Sequence, residues 1–209
     1  NLYVEGIFSM LATSDWHPNT AYCQMQFDRF MKLCGELEAM GCKIPLRHIC
    51  DSGATLIHPE MHLDMVRPGS SLYGTVIGDL TTPDIEIYPV MTVQSRLACI
   101  RKIGMGSFVG YECTWAAKRP SVIGVVPCGF VDGTSRLASN RGCVLLHGKR
   151  CPIVGNVCMD QMMIDITDVE NPRVGDEIVL AGTQDGETLS LGEAGSFADT
   201  SDTEYICRQ

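Results

Sequence analysis

Residues 152–165 read PIVGNVCMDQMMID. The two ends of this stretch, 153–157 and 162–166, are short apolar runs of strand length. Between them, Cys158-Met159-Asp160-Gln161 presents a thioether, a carboxylate and an amide together beyond Gly155. Packing alone would not select that run. The stretch predicts a pair of β-strands around a corner with polar cargo.

The same texture extends in both directions. Strands are expected at 90–103, 121–126, 142–146, 153–157, 162–166 and 177–180, separated by Gly, Pro and Asn turns, and only 191–197 suggests helix. Closely spaced short strands with turn signals indicate an all-β module, a small barrel or sandwich, here assigned to residues 85–209. Upstream the rhythm differs. Residues 4–11 read as a strand, and 20–40 as a helix with Tyr22, Met25, Phe30, Leu33, Leu37 and Met40 at helical spacing. Gly41 stands where a left-handed C-cap would be. A strand at 44–50, a short helix at 54–58 stopped by Pro59, and a third short strand at 65–67 follow. This βαβ order implies parallel strands with helices outside, with functional residues at the strand ends if the sheet is a barrel. Three strands do not close a barrel, so residues 1–82 are either part of one or an open sheet. The chain opens on strand-like sequence, as a fragment would. Thr81-Thr82-Pro83-Asp84 is the expected linker.

Bulk properties narrow the function classes. A formal charge of −9 over 209 residues disfavours extended polyanions, since neutralising phosphates takes clustered Lys and Arg; neither nucleic acid nor an anionic membrane surface is expected as a partner. No apolar run approaches a membrane span and no secretory signal is visible. Eleven cysteines make an odd number with no Cys-x-x-Cys spacing, so reduced thiols and a cytoplasmic location are expected. His58, His62 and His147 lack ligand spacing, and no metal site is expected.

Arg67 stands just before Pro68-Gly69-Ser70 at a strand end, and His48, Asp51 and Ser52 occupy the same kind of position one strand earlier. A glycine there lets backbone N–H groups approach a phosphate, and the serines add hydroxyl donors. Two ordinary βα turns fit the same residues. Tyr111 follows Gly110 in the β module, where rim packing and acid–base chemistry are both open to a phenol.

Three further segments bear on the choice: Val66-Arg67-Pro68-Gly69-Ser70-Ser71-Leu72-Tyr73-Gly74, Phe108-Val109-Gly110-Tyr111 and Pro127-Cys128-Gly129-Phe130-Val131-Asp132-Gly133. Together with 152–165 and in this order, they resemble the C-terminal two-thirds of a bacterial alanine racemase, a pyridoxal 5'-phosphate enzyme, across essentially the whole chain. The resemblance implies an α/β plus all-β fold: the C-terminal part of a TIM-type (β/α) barrel followed by an all-β domain. It implies that Arg67 faces the pyridine nitrogen with His48 alongside, and that Ser52, Gly69 and Ser70 hold the cofactor phosphate. It makes Tyr111 one of two acid–base residues, acting across a homodimer interface on alanine. Met159 would line the substrate carboxylate site, with Asp160 beside the tyrosine. Asp132, Arg136, Ser139 and Asn140 match a signature read as structural.

The chain also departs from that family. The cofactor lysine, which is the second acid–base residue, lies near the family's N-terminus; Lys32, Lys43, Lys102, Lys118 and Lys149 have no such setting, so it is expected upstream of Asn1. Met10 stands for a histidine, Asp51 for an asparagine that is common there, and Phe130 for a tyrosine. An ungapped reading puts Thr203, rather than Tyr205, at a phosphate-binding tyrosine position. The chain ends before the arginine-rich strand that normally closes the domain. The expected function is alanine racemisation. The alternatives are a racemase of serine or other small amino acids, suggested by Thr203, and a non-catalytic homologue that keeps the β module for dimerisation or binding.

Overall fold

The computed structural model describes residues 3–15, 20–75 and 85–209. The chain divides into two compact units, 1–90 and 91–209. The linker expected at 81–84 lies outside the described residues.

In the first unit, β1 (Gly6–Phe8) pairs in parallel with β2 (Leu46–His48). The strands can approach at Gly6 because it lacks a Cβ, which would lie 2.8 Å from the Leu46 carbonyl oxygen. Between them runs α1 (Thr20–Ala39). Gly41 closes the helix at φ 84°, and the Cys42 N–H reaches back to the Leu37 carbonyl at 3.0 Å, the six-to-one bond of a Schellman turn. The buried stripe differs from the one expected. Cys23, Phe30 and Cys34 face inward, whereas Tyr22, Leu33 and Met40 are exposed; the small thiols let the helix sit close to its neighbours. The core beneath α1 holds Leu11, Ile49 and Met61. The expected third strand at 65–67 reduces to one parallel bridge between His48 and Met65.

α2 (Ser52–Ile57) begins two residues earlier than its periodicity suggests, because Asp51 caps it. The Asp51 carboxylate accepts from the Ala54 N–H at 2.9 Å and from the Ser14 hydroxyl at 2.8 Å. A carboxylate cap satisfies a free N–H and favours the positive helix end.

The second unit is antiparallel. β7 (Ser121–Val126), rich in β-branched residues, lies between β4 (Cys99–Ile103) and β10 (Met162–Asp165). A second sheet runs in the order β12 (Glu187–Leu189), β11 (Glu177–Gln184), β8 (Cys143–Leu146), β9 (Lys149–Pro152), and β3 (Val93–Arg96) also pairs with β11. Two-residue loops close its hairpins. His147-Gly148 has φ of 51° and 66°, and Asp185-Gly186 has 50° and 87°, the positive pairs that match strand twist. Val126, Leu146, Met162, Ile164 and Ile178 form the core. A small β5–β6 ribbon, Phe108–Val109 with Trp115–Ala116, stands apart from the two larger sheets.

The strand expected at 153–157 needs correction. Residues 153–157 are not a strand: only Ile153 bridges, to Ile164, because Gly155 turns the backbone at φ 76°. The helix expected at 191–197 is α3 (Leu191–Ser196), and α4 (Asp202–Arg208), not among the expected elements, follows it; each is capped by a serine, Ser190 and Ser201. All eleven cysteines are free. Burial pushes the Cys50 thiol up to about 11 and that of Cys151 up to about 12, so these behave as inert small hydrophobes. No described helix is long and apolar enough to cross a membrane.

Candidate functional site

In the first unit the candidate side chains gather at the ends of the parallel strands. Arg67 is drawn there by its backbone N–H, which bonds the Cys50 carbonyl at 3.0 Å. Its guanidinium donates from Nη2 to the Ser9 carbonyl at 2.8 Å and the Ile49 carbonyl at 3.3 Å. Met10 Sδ lies 3.5 Å from the same nitrogen. Nη1 donates to His48 Nδ1. Arginine can only donate, so His48 is the acceptor there and its ring is neutral, with the proton on Nε2. Phe8 stacks on the imidazole with centroids 5.3 Å apart, and Arg67 lies over the Phe8 ring. The result is a planar, cationic but well-paired group at the mouth of the strands.

Burial and then the Arg67 charge hold His48 below the ordinary imidazole value of 6.5. The folded state therefore resists a proton that the unfolded chain accepts. Stability from this group is complete above pH 6.5 and falls as the pH drops through that value, until His48 itself protonates. A proton NMR titration is expected to place His48 below 6.5, and a value at or above it would contradict the Arg67–His48 geometry.

One turn away, Ser52 is buried at the start of α2. The Gly69 N–H points at its Oγ at 2.7 Å and the Ser71 N–H at 3.4 Å. Two backbone donors and a hydroxyl converge there, and a Cβ on Gly69 would meet nothing nearer than that oxygen at 3.8 Å. Such a convergence suits a phosphate group. Ser70 is buried, and its carbonyl accepts from Thr75. Asp51, although adjacent, is committed to capping α2 and to Ser14. Arg67, His48, Ser52, Gly69 and Ser70 thus share one end of the unit.

In the second unit, a pocket of ≈ 420 Å³ is lined by Tyr111, Glu112, Phe130, Arg136, Met159 and Asp160, among others. Two close backbone approaches build it. A Cβ on Gly155 would come 2.4 Å from the Val109 carbonyl oxygen, so only glycine lets the 155–156 turn pass beneath the segment leading to Tyr111. A Cβ on Gly129 would come 2.4 Å from the Met159 carbonyl oxygen. Here too the side-chain-free residue allows two segments to run together. The Phe130 and Val131 N–H groups bond the Cys158 and Met159 carbonyls, both at 3.0 Å. The corner read from the sequence is thereby held against the Gly129 turn, with Met159 and Tyr111 exposed.

Sequence reasoning did not single out Glu112 and Asn156. Asn156, nearly buried, donates to the Tyr111 carbonyl at 3.1 Å and to the Glu112 carboxylate at 3.0 Å. Arg136 donates to the same carboxylate at 3.2 Å. Glu112 and Cys113 both take positive φ, 67° and 53°, costing about 1–3 kcal/mol each where the residue is not glycine. No local sequence signal announces that strain. Thr203 is not in this pocket. It lies exposed on α4, with its hydroxyl 3.3 Å from Asp202. Tyr205 is buried against Ala181, Leu191 and Ala194, and burial raises its phenol pKa. No His/Cys/Asp/Glu cluster suited to a metal is present among the described residues.

A parallel βα unit whose backbone donors converge on Ser52, followed by an antiparallel β unit that exposes Tyr111, places the chain in a class of proteins with an α/β part and a β part. Family models make the class particular: residues 1–76 match "Alanine racemase, N-terminal domain" and residues 90–209 match "Alanine racemase, C-terminal domain". The chain belongs to the alanine racemase family. It is 41% identical over 207 residues to "Alanine racemase 1" of Caldanaerobacter subterraneus subsp. tengcongensis, covering 99% of this chain and 53% of that protein. The alanine racemase of Bacillus anthracis with bound L-Ala-P superposes with TM-score 0.91 at 29% identity, over 98% of this chain and 52% of that one. The enzyme of Bartonella henselae with covalently bound pyridoxal phosphate superposes with TM-score 0.83 at 27% identity, over 98% and 54%. The chain spans about half the length of the curated relatives it matches.

Proposed function

We propose that this chain is the cofactor-facing barrel portion and β domain of an alanine racemase, working in the cytoplasm as a homodimer that interconverts L- and D-alanine with pyridoxal phosphate. The observation that carries this reading is the meeting of Tyr111, Met159 and Asp160 around one pocket. Tyr111 lies far in sequence from the adjacent Met159 and Asp160, and the three answer to one chemistry. Pyridoxal phosphate, when bound, supplies an electron sink for the α-carbon.

The donor set fits that group. The Gly69 and Ser71 N–H groups and the Ser52 hydroxyl, with Ser70 beside them, would hold its phosphate, and Thr203 is a further candidate hydroxyl. Arg67, kept in place by His48 and two carbonyls, would face the ring nitrogen. A guanidinium only donates, so that nitrogen would stay unprotonated and the electron sink would stay weak. A weak sink favours prompt return of the proton over side reactions. Tyr111 takes or gives that proton at its hydroxyl on one face of the substrate. Met159 and Asp160 bound the place of the substrate beside it. The opposite face needs a second acid–base group, assigned to a lysine in the portion of the protein that this chain does not include.

Borohydride reduction with pyridoxal phosphate tests the reading. The 209-residue chain alone is expected to give no stoichiometric adduct and no racemisation. Joined to the portion of the Caldanaerobacter relative that it does not cover, it is expected to racemise alanine and to give one adduct, mapping to that added portion. A stoichiometric adduct on Lys32, Lys43, Lys102, Lys118 or Lys149 accompanied by activity of the chain alone would overturn the division of roles.

A further inference from the structure

The Tyr111 turn carries an unusual demand. Two consecutive residues without glycine's freedom, Glu112 and Cys113, hold left-handed backbone at φ 67° and 53°. Such a turn persists only where its surroundings over-determine it. Here the over-determination is visible. The Glu112 carboxylate is shared between Arg136 Nη2 at 3.2 Å and Asn156 Nδ2 at 3.0 Å. The same Asn156 nitrogen bonds the Tyr111 carbonyl at 3.1 Å. Thr114 Oγ1 closes the far side, 3.5 Å from Asn156 Oδ1, and receives Asn140 Nδ2 at 3.1 Å. Asn156 is in turn fixed because Gly155 passes under Val109, and because Asn140 Oδ1 accepts the Gly155 N–H at 2.7 Å. All three groups of the clamp, Glu112, Arg136 and Asn156, line the pocket into which Tyr111 faces.

We propose that Glu112 is a positioning residue for the Tyr111 phenol. Its carboxylate, gripped by Arg136 and Asn156, pays for a left-handed turn that sets the direction in which the tyrosine side chain leaves the backbone. The inference rests on Tyr111 being the acid–base residue. Within this chain the tyrosine side chain is mostly exposed, so its own unit packs the ring little, and the main chain beneath sets the direction in which it leaves. Arg136 does double duty here: held by Glu112, its charge is balanced at the pocket wall.

The test separates the clamp from the chemistry. Glu112→Gly removes the carboxylate yet suits φ 67°, so the chain should still fold. In the 209-residue chain, this variant is expected to let the backbone amides of residues 111–113 exchange at least about 10-fold faster. In the completed enzyme it is expected to lower kcat by about 10²-fold with KM little changed, the cost of a misplaced reacting group. Glu112→Gln keeps an oxygen for one of the two donors and turns an N–H toward the other, and is expected to recover part of the protection and part of kcat. Unchanged exchange in Glu112→Gly overturns the clamp. A Glu112→Gln enzyme as slow as Glu112→Gly overturns positioning as its purpose. If Tyr111→Phe is fully active, the acid–base reading falls, and with it this role for Glu112, whatever the exchange shows.

Discussion

Tyr111→Phe in the completed enzyme is expected to lower kcat by about 10²–10⁴-fold, the range supplied by one positioned acid–base group. The substitution removes a single oxygen and leaves the ring. Tyr111 is exposed within this chain, so the stability of the chain should change by no more than about 0.5 kcal/mol. The two readouts therefore separate cleanly. The two-base scheme adds a sharper expectation. With one face served by Tyr111 and the other by the lysine, the variant in D2O should keep exchanging the α-proton of one enantiomer while losing exchange of the other. Equal loss for both would point to damaged cofactor binding. Racemisation at the unsubstituted rate would remove Tyr111 from the mechanism.

Ile164→Ala is expected to destabilise the β unit by about 2–5 kcal/mol, from lost transfer energy and the cavity left behind. Ile164 is fully buried on β10, opposite Gly124 of β7, in the cluster with Leu97, Val126 and Ile178. Urea unfolding should show a lower midpoint with an unchanged slope. Ile164→Val should cost only about 0.5–1.5 kcal/mol. The effect reaches the pocket because β10 begins one residue after Gln161, whose carbonyl accepts the Cys158 N–H at 2.9 Å and closes the Met159 corner. An Ile164→Ala chain as stable as the unsubstituted one would mean that this sheet is not the scaffold holding the corner.

Much of the architecture was readable without coordinates. The helix at 20–40 and its Gly41 cap follow from local rules, because a C′ glycine and helical spacing act within a few residues. The strands at 121–126 and 162–166 follow from β-branched and apolar runs. The hairpin at Asp185-Gly186 carried the strongest local turn signal available and still lay outside the expected strands, since only 177–180 was read there. The strand at 153–157 was misread for the opposite reason: Gly155 looked like punctuation inside a run, whereas its φ of 76° ends the run. α4 (Asp202–Arg208) is not among the expected elements, since only 191–197 reads as helix in this unit.

The candidate site divides along the same line. Arg67 before Pro68-Gly69 and the Met159-Asp160 corner were visible as residue types at strand ends. That Tyr111, Met159 and Asp160 share a pocket was suggested by resemblance, not by spacing. Glu112 and Asn156 were invisible, because their bond spans 44 residues and the Arg136–Glu112 bond spans 24; no periodicity records a contact of that range.

The sequence by itself determined the alternation of elements, the caps, the acidic balance and the residue types at the strand ends, because these depend on backbone sterics and local hydrogen bonding over a few positions. Only the tertiary structure decided which face of α1 is buried, that residues 65–67 make a single bridge, that His48 is the neutral partner of Arg67, and that Glu112 grips the turn beneath Tyr111. Each of these depends on which distant segments close upon one another. That is settled by packing and by the need to pair every buried polar group, and both act through space and not along the chain.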